Sequence, residues 1–221
     1  MSEYSLITLP PMNRRRRVPA MAPEDRRAAL IAATIPLLRE YGAAVSTRQI
    51  AEAAGVAEGT IFGVFPDKAS LVRAALMSAF DPRHALDALA AIPASAGLRA
   101  RLCEAVTILR TRMSANANLL SVPNGPKEPI ADDAEFREHM LDNRRRIQVA
   151  LAELMGPDRD RLRRSPDDAA QLLLMLIAVS VHRGFGAGAD FADMEDEEIV
   201  SVLLDGLLVR PSPIPDPESP C

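Results

Sequence analysis

Arg48, Thr60 and Lys68 are the side chains whose types and spacing suit a chemistry, within the stretch TRQIAEAAGVAEGTIFGVFPDK (residues 47–68). Arg48 and Lys68 are mobile cations, and Thr60 carries a short hydroxyl that can approach a phosphate closely. That chemistry is anion recognition rather than bond making. The chain holds only three His, and no Ser/His/Asp or Cys/His set, metal-ligand spacing or carboxylate pair stands out. No enzymatic activity and no cofactor or metal is therefore expected. Cys103, inside a helical pattern, and Cys221, at the end of the chain, do not make a disulfide framework, and a reduced cytoplasm is the simple reading.

The elements that must position these residues are two short helices. Ile50, Ala51 and Ala54 share one face of the first, at the spacing of a 3.6-residue period. Gly55 follows, where a left-handed backbone closes a helix without steric cost. Val56 restarts an apolar face and Ile61 and Phe65 continue it, while Thr60 and Lys68 stay polar. Two helices joined by a Gly-containing turn, one with small and polar residues outward, form the helix-turn-helix that fits a helix into the DNA major groove.

From about Arg26 to Leu76 the order of residues resembles the TetR family of transcriptional repressors. The matching pieces are Tyr41-Gly42, Ser46-Thr47-Arg48-Gln49-Ile50-Ala51, Ala54-Gly55-Val56, Gly59-Thr60-Ile61-Phe62, Phe65-Pro66-Asp67-Lys68, and a fourth helix through Leu71 and Val72. The resemblance implies that a third helix, about Ala57 to Val64, enters the groove. Thr47 and Arg48 then match residues touching backbone or a flanking base, and Glu58, Gly59, Thr60, Phe62 and Gly63 match the groove-facing stretch. Lys68 matches a recurrent phosphate contact. Glu58 can accept from a cytosine amino group, although nearby phosphates repel it. Phe62 either faces DNA or packs in the small core. Gly63 and Val64 depart from the family's habit of a basic or aromatic residue followed by His or Tyr, so the affinity or specificity of this head is open.

Composition agrees with an all-α chain: 48% of residues are hydrophobic, 4% aromatic, and there is no Trp. The net charge of −4 divides unequally, +3 over residues 1–80 and −7 over residues 81–221, which places the phosphate-seeking charge at the N-terminal end. Expected divisions are a basic tail (1–22), a helix-turn-helix domain (23–80), a helical ligand-binding and dimerisation domain (81–210) and a Pro-rich tail (211–221). Both tails are expected to be disordered. In the first, Met12 and Met21 are possible alternative starts, and the opening SEYSLITLPPM does not read as a signal peptide. Arg14–Arg17 either lie along phosphates or the minor groove, or add a sequence-blind attraction. Arg144–Arg146 and Arg161–Arg164 read as exposed helix faces.

The first helix is predicted over Pro23–Tyr41, kinked at Pro36, with Ser46 capping the second helix and Asp67 opening the fourth. Further helices are expected near 83–91, 95–121, 131–155, 166–184 and 195–209, with breakers at Pro123–Pro126 and Gly156-Pro157. The C-terminal half resembles the family in architecture only, which implies an unknown small-molecule effector and a homodimer. Met113, Phe136, Met140, His182 and Phe185 are the candidate pocket residues. Leu172, Leu176 and Val179, with Ile199, Leu203 and Leu207, are the candidate dimer surface, because a helix apolar nearly all round must be covered all round. Gly184, Gly186 and Gly188 follow a helix, not a strand, and read as a loop. The apolar run 172–181 is about half the length that crosses a bilayer, so no membrane partner is expected. The expectation is a ligand-released repressor on a palindromic double-stranded DNA operator. The alternative is a helical small-molecule-binding or scaffold protein whose DNA-reading helix is degenerate.

Overall fold

Short-range chemistry fixes where the first helices begin and end. In the computed structural model, which describes residues 22–121, 133–181 and 194–207, helix α1 (Pro23–Tyr41) starts with Pro at its first position and Glu24 and Asp25 in its positive first turn. It runs through Pro36 as one helix and stops at Gly42, whose φ is 55°. Helix α2 (Thr47–Ala53) opens on a capping box: Ser46 Oγ accepts from the Gln49 amide, and the Gln49 side chain accepts from the Ser46 amide. It closes at Gly55, whose φ of 67° is left-handed as the sequence predicts. The Val56 amide then donates to the Ala51 carbonyl at 3.0 Å and the Gly55 amide to the Glu52 carbonyl at 3.1 Å, the paired bonds of a Schellman closure.

Helix α3 (Gly59–Phe62) is only four residues long, shorter than the predicted Ala57–Val64. Its ends carry on as tight turns, with Thr60 donating to Ala57 and Val64 to Ile61. Helix α4 (Lys68–Ala79) is capped by Asp67, whose carboxylate accepts from the Ser70 amide and hydroxyl at 2.7 Å. Those two bonds, the amide first, hold the Asp67 carboxyl below the usual range. After Asp81-Pro82 come α5 (Arg83–Ala90), α6 (Leu98–Asn116), α7 (Ala134–Met155), α8 (Pro166–Val181) and α9 (Asp196–Leu207). The predicted 95–121 helix changes at Ala117 to a 3₁₀ segment ending at Ser121, and Gly156-Pro157 open another through Arg161. Residues 123–126, both tails, the glycines at 184, 186 and 188, and His182 and Phe185 lie outside the described residues.

Two buried clusters result. Leu30 and Leu38 of α1, Val45, Ile50, Ile61, Phe65, and Leu71, Val72, Ala75 and Leu76 of α4 form one. Arg27 lies over the Phe65 ring, 4.4 Å from its centroid. Each such Leu, Ile or Phe contributes about 1.5–3 kcal/mol on full burial. The second cluster joins α5 to α9, with Leu102, Val106, Leu151, Leu173, Ile177, Val200 and Leu204 at its centre. Its helices are also tied by polar bonds. Arg110 reaches Asp196 at 2.6 Å and the Met194 carbonyl at 2.8 Å, and Arg99 reaches Ser201 at 2.7 Å.

Candidate nucleic-acid interface

The sequence-predicted residues lie on α2, on and beside α3, and at the first position of α4. Arg48, Glu58, Gly59, Phe62 and Gly63 are exposed, and Thr47, Thr60 and Lys68 are half-buried. The Thr47 hydroxyl donates to a Glu58 carboxylate oxygen at 2.5 Å, tying the start of α2 to the start of α3. Glu58 is thereby partly engaged before any base arrives.

Of the two readings of Phe62, the structure supports the outward one. Ile61 and Phe65 fill the core completely, and Phe62 is left 55% exposed. Val64 instead packs half-buried against the core, so this departure from the family's pattern is a packing residue. Gly63 lies on the outside, where an added Cβ would meet only the Thr60 carbonyl at an ordinary 3.5 Å.

A junction that the sequence reading missed lies at the far end of α4. A helix C-terminus leaves carbonyls without intrahelical partners. Here the carbonyls of Leu76 and Ser78 take the backbone amides of Phe80 and Asp81, and those of Met77, Ala79, Phe80 and Asp81 are met by side chains from beyond Asp81. His139 contacts the Met77 carbonyl at 3.2 Å, Asn116 donates to Ala79 at 3.0 Å, and Asn143 donates to Phe80 at 3.0 Å. Arg112 donates to the Asp81 carbonyl. Asn116 is in turn bonded by Arg39 of α1 at 2.9 Å, so it ties α1 and α4 to α6. At the other side Arg73 of α4 pairs with Asp133, the cap of α7, at 3.1 Å. The available signal was the polar residue Asn143 on the stripe Phe136, Met140, Asn143, Ile147 of α7.

Of the candidate pocket residues, the three among the described residues divide between the two clusters. Phe136 is buried in the first cluster, edge-on to Phe80 with centroids 5.9 Å apart, and Met140 packs beside it. Met113 packs against the second cluster. The register of α7 explains this: its first half lies under α4 and its second half belongs to the α5–α9 core. A groove of about 520 Å³ runs along α5 and α7, lined by Leu86, Ala90, Arg145, Arg146 and Val149 among others, none of them a predicted pocket residue.

The candidate dimer residues separate as well. Ile199, Leu203 and Leu207 are buried in the chain's own core and leave little area to offer a partner. Leu172 remains 42% exposed, with Leu176 and Val179 half-buried beside it. Met175 and Val202, 52% and 51% exposed, are among further apolar side chains left outside the core, as are Leu141 and Val149.

Together these elements make a capped helix-turn-helix on a helical body. Residues 30–75 match the model of the bacterial regulatory proteins of the tetR family, and this segment is that family's N-terminal DNA-binding region. Regulators of this family are not enzymes. No curated protein matches the sequence. The fold is shared with a TetR-family transcriptional regulator from Mesorhizobium loti, 17% identical, over 86% of this chain and 100% of that one, with a TM-score of 0.66. It is shared too with a tetR-family regulator from Streptomyces coelicolor, 21% identical, over 84% and 83% of the chains, with a TM-score of 0.63. A transcriptional regulator from Rhodococcus is 20% identical over 86% and 100%, with a TM-score of 0.60. Among the described residues no helix is long and apolar enough to cross a membrane.

Proposed function

We propose that the chain is a homodimeric repressor that reads a near-palindromic operator through α3 and releases it when a small, largely apolar molecule binds the body. The observation that carries the DNA-reading part is the exposed face of Arg48, Phe62 and Gly63 on a helix pair braced by the Thr47–Glu58 bond. The dimer reading rests on Leu172, Met175, Leu176 and Val179, which recur on one face of α8 at helical spacing. Release rests on the α4 junction, since a molecule that alters how α6 and α7 hold those carbonyls alters the seat of α4 and hence of the head. Such an effector shifts the balance only by its difference in affinity for the two arrangements. The two buried clusters support a domain boundary at Asp81-Pro82, with Phe136 and Leu119 crossing it to complete the head.

The contact assignment is tested on a selected operator duplex. Arg48→Ala is expected to weaken binding by about tenfold across sequences and to reduce the salt slope by about one, as loss of a phosphate contact does. Thr60→Ala is expected to weaken the complex by a few fold, about 1 kcal/mol for one hydrogen bond. Unchanged affinity in both variants would remove these residues from the interface.

A further inference from the structure

The outward side of α3 carries one ring between two absences of side chain. Gly59, Phe62 and Gly63 fall at i, i+3 and i+4 and so share a face. Neither glycine has a left-handed backbone. A Cβ at Gly59 would meet nothing within 4 Å, and one at Gly63 makes only an ordinary contact. The fold therefore does not require glycine at either place. Their effect is to strip the helix surface to backbone on both sides of a phenyl ring that the core leaves outside.

A phenyl ring has no hydrogen-bond donor or acceptor, so it cannot read the N7, O6 or amino groups of the major groove. The one apolar mark in that groove is the 5-methyl of thymine. We infer that Phe62 reads a thymine methyl in each half-site, with Gly59 and Gly63 giving the helix backbone the close approach that this short contact needs. The inference rests on the DNA-binding reading above and adds the base that the head selects. It also gives Gly63 a use where the family's pattern would place a larger side chain.

The experiment uses the full chain and synthetic operator duplexes in which deoxyuridine replaces thymine one position at a time, so that only a methyl is lost. At one position per half-site the wild-type complex is expected to weaken about fourfold, and about fifteenfold with both half-sites substituted, the worth of one buried methyl each. Phe62→Ala is expected to lose at least as much affinity on the thymine operator and to be indifferent to deoxyuridine at that position. Phe62→Leu is expected to keep part of the preference. Gly63→Ala is expected to fold with an unchanged helical spectrum yet bind more weakly. Retained sequence preference with no deoxyuridine-sensitive position, or a methyl effect that persists undiminished in Phe62→Ala, overturns the inference and leaves the DNA-binding reading standing. Binding without any sequence preference removes both.

Discussion

Replacing Arg101 by Met is expected to destabilise the fold by about 3 kcal/mol, lowering the melting temperature by roughly 6–12 °C. Arg101 is only 3% exposed. Its guanidinium pairs with Asp158 at 2.5 Å and donates to the carbonyls of Leu154 at 3.0 Å, Ala94 at 3.3 Å and Ala96. One side chain thus closes the α5–α6 loop, the end of α7 and the following 3₁₀ segment. Met keeps much of the volume and none of the donors, leaving one oxygen of the Asp158 carboxylate and three carbonyls in want of partners. The expected loss sits at the lower end for a broken buried pair, because Asp158 keeps Arg161 at 2.6 Å.

The same pair sets a pH dependence. The bond from Arg101 first, and that from Arg161 second, hold the Asp158 carboxyl below the usual carboxylate range despite its burial. A carboxyl depressed in the folded state stabilises the protein above its unfolded pKa of about 3.9. That stability is lost as pH falls through the lower folded value. Denaturant titrations of wild type at pH 7 and pH 3 are expected to show a drop that is smaller in Arg101→Met. A variant within about 1 kcal/mol of wild type at pH 7 would contradict this account of the site.

Met175→Asp is expected to convert the proposed dimer to a folded monomer and to lower operator affinity by at least about a hundredfold, since an unpaired buried carboxylate costs several kcal/mol at an interface. Met175 is half exposed in the single chain, so the charge stays solvated there and the fold survives. A charge at Leu203 would make a poorer test, because that side chain belongs to the chain's own core and its loss unfolds the body. Light scattering on Met175→Asp and on the control Met175→Leu reads the outcome. A dimer that persists in Met175→Asp would move the interface elsewhere.

What the sequence made legible was local. Ser46, Gly55 and Asp67 act within a few residues, and each does what its chemistry predicts. Phe62 was ambiguous because Ile61, Phe62, Val64 and Phe65 are all apolar and a four-residue helix is too short to show a period. The burial of Ile199, Leu203 and Leu207 is not legible because a broad apolar stripe does not say which part faces its own core. Phe136 and Met140 belong under α4 for reasons of topology that no local pattern carries. The α4 junction was the least legible feature, since Asn116, His139, Asn143 and Arg112 act on carbonyls more than thirty positions away.

Selection of bound sequences from a random duplex library, with the purified chain at near-physiological salt, decides whether the head reads bases. The expected result is enrichment of an inverted repeat whose half-sites are centred about one helical turn apart, roughly 34–36 Å, each with a thymine at a fixed place. Binding that enriches no sequence and vanishes as salt rises would contradict it, and would mean that the head attracts phosphates without reading bases.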